Sequence, residues 1–220
     1  MRSPRTKLNV TFVVCSRYAC NSKHMPEMIQ GNQPSTIEIP LRDGSLAEVR
    51  PISPDDRGLL AEGLSRMSEQ SRFARFGTGV SSLTGAELRY LTEVDQVSHV
   101  AWGATIDGEP AGVGRYILDS GAEAEIAITV VDRYQRRGLG RVLFGALSAS
   151  ARAAGVAAFT FSIEPWNRSV LRMLPGVSIE LDEGDGMLTG RVEVAAIPPG
   201  DREQDFVELL DRCRQGWPAR

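Results

Sequence analysis

The 220-residue chain has no apolar run approaching the ~18 residues that a membrane-spanning helix requires, which argues against a helical membrane protein. Cysteine is scarce: Cys15, Cys20 and Cys213 show no metal-ligand spacing and no even-numbered disulfide framework. Histidine is scarcer still: His99 has only His24 for company, so a metal centre is not expected. There is no G-x-x-x-x-G-K-[ST] P-loop, no G-x-G-x-x-G dinucleotide fingerprint and no internal repeat. Acidic residues are missing from residues 1–25, which carry Arg2, Arg5, Lys7, Arg17 and Lys23. The remainder therefore holds 20 basic against 28 acidic residues, a balance that does not suit a nucleic-acid binder. The apolar patch behind the basic start is broken by Asn9 and Thr11 and lacks a small-residue cleavage site. It reads as a poor secretory signal, and the expected compartment is the cytoplasm.

What is present has the texture of one globular domain. Residues 1–35 lack sustained periodicity and end in a polar connector, so they are expected to be a disordered extension. Order begins with two strand-like runs around Asp43-Gly44, a pair suited to a tight hairpin. Ser53-Pro54-Asp55-Asp56 offers a helix cap, and Leu59, Leu60, Leu64 and Met67 follow as an apolar stripe. Helices are expected over Glu69 to Phe76, where the SRFARF pattern reads as core plus salt-bridged surface, and from Thr84, with Glu87 completing a capping box. From His99 three strands follow in succession, HVAWGATI, AGVGRYIL and AEIAITVV, with Asp107-Gly108 between the first two. A helix at Gly138–Ala154 then precedes a buried strand, a short helix over NRSVLRML, a hairpin and a last helix from Arg202 to Cys213. The pattern specifies an α+β domain over residues 36–197, with 198–220 as a C-terminal helix or tail.

The chemistry concentrates in Gln135-Arg136-Arg137-Gly138-Leu139-Gly140. After a strand, successive N–H groups at a helix mouth can converge on an anion, and the helix dipole favours it. Gly138 and Gly140 remove side chains that would block a phosphate, while Arg136, Arg137 and Arg141 add charge. A purely structural alternative, tight strand–helix packing with exposed arginines, fits the loop alone equally well.

An apolar strand end at Val130, four residues, then [QR]-x-x-G-x-[GA] opening a helix resembles the signature of the GNAT acyl-CoA-dependent N-acetyltransferases. The likeness is greatest to the catalytic domain of bacterial Pat-type protein lysine acetyltransferases. Leu41 to Gly44 with Arg50 to Ile52, Ser71 to Phe76, Leu88 to Ala101 and Ala124 to Val130 are similar to segments of that group, across about residues 37–197. The resemblance implies a mixed, mostly antiparallel sheet flanked by helices. It implies a loop that wraps the pyrophosphate of acetyl-CoA and backbone groups of Ile128, Thr129 and Val130 that pair with its pantetheine arm. It also offers Asn167 as a contact to that arm, although a plain helix cap is an equal reading.

Strand alternation puts Glu123, Glu125, Ala127 and Thr129 on one face and apolar Ile126, Ile128 and Val130 on the other, the core face. An amine attacks a thioester only when neutral, and a lysine with pKa ~10.4 is mostly protonated at neutral pH. A carboxylate in a cleft can remove that proton. By resemblance this is Glu125; Glu123 is its rival on the same face, and a solvated strand acid is the plain alternative. The tyrosine acid that many GNAT enzymes place after the helix asparagine is missing from NRSVLRML. The expected activity is acetyl transfer from acetyl-CoA to a primary amine, most readily a protein lysine, without a metal. Alternatives are a small-molecule amine or amino-acid acetyltransferase and a non-catalytic acyl-CoA-binding module. A chain this short is expected to lack the separate regulatory domain that Pat-type proteins often carry.

Overall fold

The computed structural model describes residues 36–77, 80–119, 121–173, 177–184 and 186–216. The expected extension at residues 1–35 lies outside the described residues, as does Pro175, taken as the stop of the short helix. Eight strands form one sheet in the order β1-β2-β3-β4-β5-β6-β8-β7. They are β1 (Ile37–Pro40), β2 (Leu46–Pro51), β3 (His99–Ile106), β4 (Glu109–Leu118), β5 (Glu123–Val130), β6 (Ala158–Ile163), β7 (Glu180–Gly184) and β8 (Met187–Glu193). Every pairing is antiparallel except β5 with β6, where a crossover helix makes the parallel join.

The local chemistry explains the elements. Asp107 and Gly108 both take positive φ, the geometry a two-residue hairpin turn demands, and so β3 and β4 meet. Helix α1 (Arg57–Ser65) follows a 3-10 turn, Pro54–Asp56, in which Asp56 accepts from the Ser53 N–H at 2.7 Å and from Arg50 Nη1 at 2.8 Å. Helix α2 (Glu69–Phe76) is capped by Ser68, whose hydroxyl accepts from the Ser71 N–H, and closed by Gly77 in the left-handed region. Helix α3 (Gly85–Thr92) carries the Thr84–Glu87 capping box.

The long helix α4 (Leu139–Ala153) lays Leu143 and Leu147 against Gly112 and Gly114 of β4, forming the main core. Helix α5 (Glu203–Gly216) buries Phe206, Leu209 and Leu210 on the same side, with Phe206 edge-on to Trp102 at 5.3 Å. Arg152 of α4 ties this end down through Glu203 and the carbonyls of Val194 and Ile197. Ile52, Val94 and Ala101, packed with Leu60 and Val113, make a smaller core on the opposite face. NRSVLRML is not an α-helix opened by asparagine: a 3-10 stretch, Pro165–Met173, begins two residues earlier and is kinked at Asn167.

Candidate active site

The sheet splits at one place, and that place makes the site. Strands β5 and β6 pair only from Glu123↔Ala158 to Glu125↔Thr160 and then part. Below the split lies a cleft of about 1100 Å³, lined by Glu125 to Ile128 of β5, the C-terminal end of α2, β6, and the β7–β8 hairpin. Both faces of β5 beyond Glu125 border this space. Ile126, Ile128 and Val130 pack against the main core, as strand alternation expects, and stay half-buried; Ile126 and Ile128 also border the cleft.

The free edge of β5 follows from the ladder. Val131 donates its N–H to the Ala111 carbonyl, and an antiparallel ladder alternates, so Thr129, Ala127 and Glu125 also turn their main-chain groups toward β4. Ile128 and Val130 face the gap that β6 has left. Thr129 departs from expectation: its main chain is committed to Val113, and its hydroxyl is buried without a hydrogen-bond partner. Of the three residues expected to pair with a strand-like ligand, only Ile128 and Val130 are placed to do so, and the Val130 carbonyl already accepts from Gln135 Nε2 at 3.1 Å.

The glycine loop leads from that edge into α4. Among the described residues, no acceptor meets the main-chain N–H of Arg136, Arg137, Gly138, Leu139 or Gly140. Arg136 takes φ +62° and Gly138 φ +103°, a turn that lifts successive N–H groups toward one concavity at the positive end of the helix. A side chain at Gly138 would be strained by that backbone, and one at Gly140 would come within 3.1 Å of Met173 Sδ. These donors fit a phosphate-bearing ligand. The loop's side chains divide the work differently from expectation. Gln135 braces the loop, donating to Val130 and to Ser71 of α2. Arg137 is held by Asp43 at 2.7 Å, and Leu139 is buried, offering the loop only its N–H. Arg136 and Arg141 form no ion pair among the described residues; nor does Arg42, from the β1–β2 hairpin, whose side chain lies against Gly138. Arg42 escaped the sequence reading because it is 96 residues from that glycine; its backbone N–H, bonded to the Arg137 carbonyl at 3.0 Å, brings it there.

At the split stand the two acids. Glu123 accepts from Arg191 Nε of β8 at 2.8 Å and is occupied. Glu125 opens into the cleft, where burial by the surrounding walls raises its pKa, Arg75 opposes that shift and Asp119 adds to it. A carboxyl so placed can exchange a proton with a bound amine. Arg75 and Phe73 of α2 also line the cleft, so SRFARF is a cleft wall and only Phe76 joins the core. Asn167 lines the cleft as well. Among the described residues no tyrosine lines it: Tyr134 donates to Glu109 at 2.9 Å, Tyr116 is in the core, and Tyr90 lies near His99. His99 accepts from Arg115 Nη1 at 3.0 Å, and no group of three or more potential metal ligands occurs among the described residues.

Comparison with known proteins agrees with this geometry. Residues 70–174 match the acetyltransferase (GNAT) family. Acetyltransferase Pat of Mycolicibacterium smegmatis is 31% identical over 183 residues, a match that covers 81% of this chain and 54% of that protein. The chain thus spans about half the length of that relative. The crystal structure of the GNAT domain of S. lividans PAT is 28% identical with a TM-score of 0.67, covering 74% of this chain and 99% of that one. A cAMP-binding acyltransferase from Mycobacterium smegmatis is 26% identical with a TM-score of 0.59, covering 82% of this chain and 55% of the other.

Proposed function

This chain belongs to the acetyltransferase (GNAT) family, and from that premise we propose that it transfers an acetyl group from acetyl-CoA to a primary amine, with a protein lysine as acceptor. The observation that carries the reading is the continuity of three features: five free N–H donors at the mouth of α4, the unpaired edge of β5, and Glu125 at the split. The loop would hold the pyrophosphate of acetyl-CoA through main-chain donors, with Arg42, Arg136 and Arg141 adding charge. Ile128 and Val130 would hold the pantetheine arm in the place of a strand, aiming its thioester at Glu125. When bound, acetyl-CoA supplies an acyl carbon that bonds to the amine nitrogen as the carbon–sulfur bond breaks and coenzyme A leaves as a thiolate. Glu125 takes the proton that the amine nitrogen must lose, directly or through a water. With no tyrosine on the cleft wall among the described residues, the thiolate would take its proton from solvent. Lysine as acceptor is what the sequence resemblance to Pat-type protein lysine acetyltransferases implies.

Saturating acetyl-CoA should raise the melting temperature, since a ligand at ~100 times its dissociation constant adds roughly 2.7 kcal/mol. Gly138→Val should abolish that shift, whereas its backbone strain alone costs on the order of 1–2 kcal/mol. Release of free coenzyme A with lysine peptides, and acetyl-lysine in their mass spectra, completes the test. An unchanged wild-type melting curve would refute the cofactor, and coenzyme A binding without release would refute the transferase.

A further inference from the structure

Helix α2 carries a cation into the cleft that nothing in the acetyl-transfer scheme uses. Arg75 lines the same space as Glu125, yet among the described residues its guanidinium makes no hydrogen bond and no ion pair. The guanidinium carbon lies over the Phe76 ring, 5.2 Å from its centroid. The next cation does not relieve it. Arg115, on β4 directly across from Ala127, is buried, and donates Nη1 to the Leu91 carbonyl and to neutral His99, with no acid of its own. The acid that attracts Arg75 is Glu125, and burial outweighs that attraction in pulling the Arg75 pKa down.

The balance of charge worsens during the reaction. Once Glu125 has accepted the amine proton it is neutral, and Arg75, which forms no ion pair among the described residues, loses the acid that attracts it; Glu164, Glu180 and Asp182 line the same cleft without pairing with it. An unpaired guanidinium in such a place is costly, and a bidentate carboxylate is the group its fork of donors matches. A plain cationic amine would meet Arg75 on the cleft wall beside Glu125.

We propose that Arg75 anchors a carboxylate carried by the acceptor, so that the acceptor class is an amine with a carboxylate nearby. This rests on the transferase reading and narrows its acceptor. The carboxylate can belong to a free amino acid or to an acidic residue beside a peptide lysine.

Two matched pairs separate the sources: Nα-acetyl-lysine against its amide, and a lysine peptide with glutamate beside the lysine against the same peptide with glutamine. For each, kcat/KM is read from coenzyme A release. Dissociation constants of the Nε-acetylated products with coenzyme A present need no turnover and are read in parallel. In the wild type the carboxylate member of one pair should be favoured roughly 10-fold or more, the worth of one charge-assisted hydrogen bond. The pair that shows the preference names the source. In Arg75→Gln the ratio should fall to near one, and Arg75→Lys, which keeps the charge without the fork, should keep a ratio between that of Arg75→Gln and the wild type while guarding against a folding defect. Ratios near one for both pairs in the wild type, or a preference that survives Arg75→Gln, would overturn the proposal. If no acceptor releases coenzyme A, the transferase reading has failed, and the product-binding ratios decide the anchor by themselves.

Discussion

Glu125→Gln keeps the size of the side chain and removes its ability to take a proton. At pH 7 an amine with pKa ~10.4 is neutral in roughly one molecule in 2,500, so a transferase without a base must work on that fraction. Acetyl-CoA should bind the variant as it binds the wild type, while kcat/KM for the amine falls by a factor on the order of 100 to 10,000. The variant should then gain nearly tenfold per pH unit, or up to ~100-fold between pH 7 and 9, because solvent supplies the missing deprotonation. The wild type should show the opposite limb. Burial raises the Glu125 pKa, so the carboxylate is available above that raised value, and activity is lost as pH falls through it. Glu123→Gln is the control. It breaks the 2.8 Å ion pair with Arg191, but the two side chains are 44% and 32% exposed, and such a pair is worth under about 1 kcal/mol. Stopped-flow or plate detection of free coenzyme A, across pH 6–9.5, reads all three proteins. Wild-type kcat/KM in Glu125→Gln at neutral pH would refute the assignment, and a larger loss in Glu123→Gln would move the base two residues upstream.

Two further predictions concern the frame around the cleft. A methyl group on Gly190 would sit 2.1 Å from Phe161 Cζ, so Gly190→Ala must displace that ring and should lose roughly 1–3 kcal/mol in urea denaturation; unaltered stability would show that the ring is free to move. Burial, and then the Arg115 charge, hold the His99 pKa down to about 3, against 6.5 ordinarily. Folding therefore gains from neutral His99 in full above ~6.5 and loses that gain as pH falls from 6.5 toward 3. His99→Gln, which keeps an acceptor for Arg115 but cannot titrate, should flatten this acid limb, and parallel pH–stability curves for the two proteins would exclude His99 as its source.

Much of this fold was legible because its signals are local. Asp107-Gly108 turns β3 into β4, Thr84 and Glu87 cap α3, and α2 runs over the segment read for it. The glycine loop declared itself by composition, and the resemblance supplied its role. The side-chain assignments within the loop did not follow, because they depend on partners far away: Asp43 claims Arg137, and Ser71 claims part of Gln135. Arg75 carried a signal that went unused. Its positions three and four residues away hold Ser71, Arg72, Thr78 and Gly79, so no acid on its own helix can pair with it. A helix arginine without such an acid needs another partner or a solvent face.

The choice between Glu123 and Glu125 shows why spacing alone could not finish the site. A strand repeats every two residues, so the two acids share a face and period cannot separate them. Pairing does. Register sets Thr160 of β6 beside both Glu125 and Arg191, and Glu123 beside Ala158, which in turn pairs with Glu193 of β8. Arg191 can therefore reach across β6 to Glu123, and it also holds Glu193 at 2.6 Å. Glu125 sits on the last rung before the strands part, the first position on β5 whose side chain meets open cleft. Its environment is fixed by where two strands whose paired residues lie 35 apart in sequence stop bonding, and no pattern within either strand encodes that point. Moving the split back by two residues would put Glu123, in place of Glu125, on the last rung.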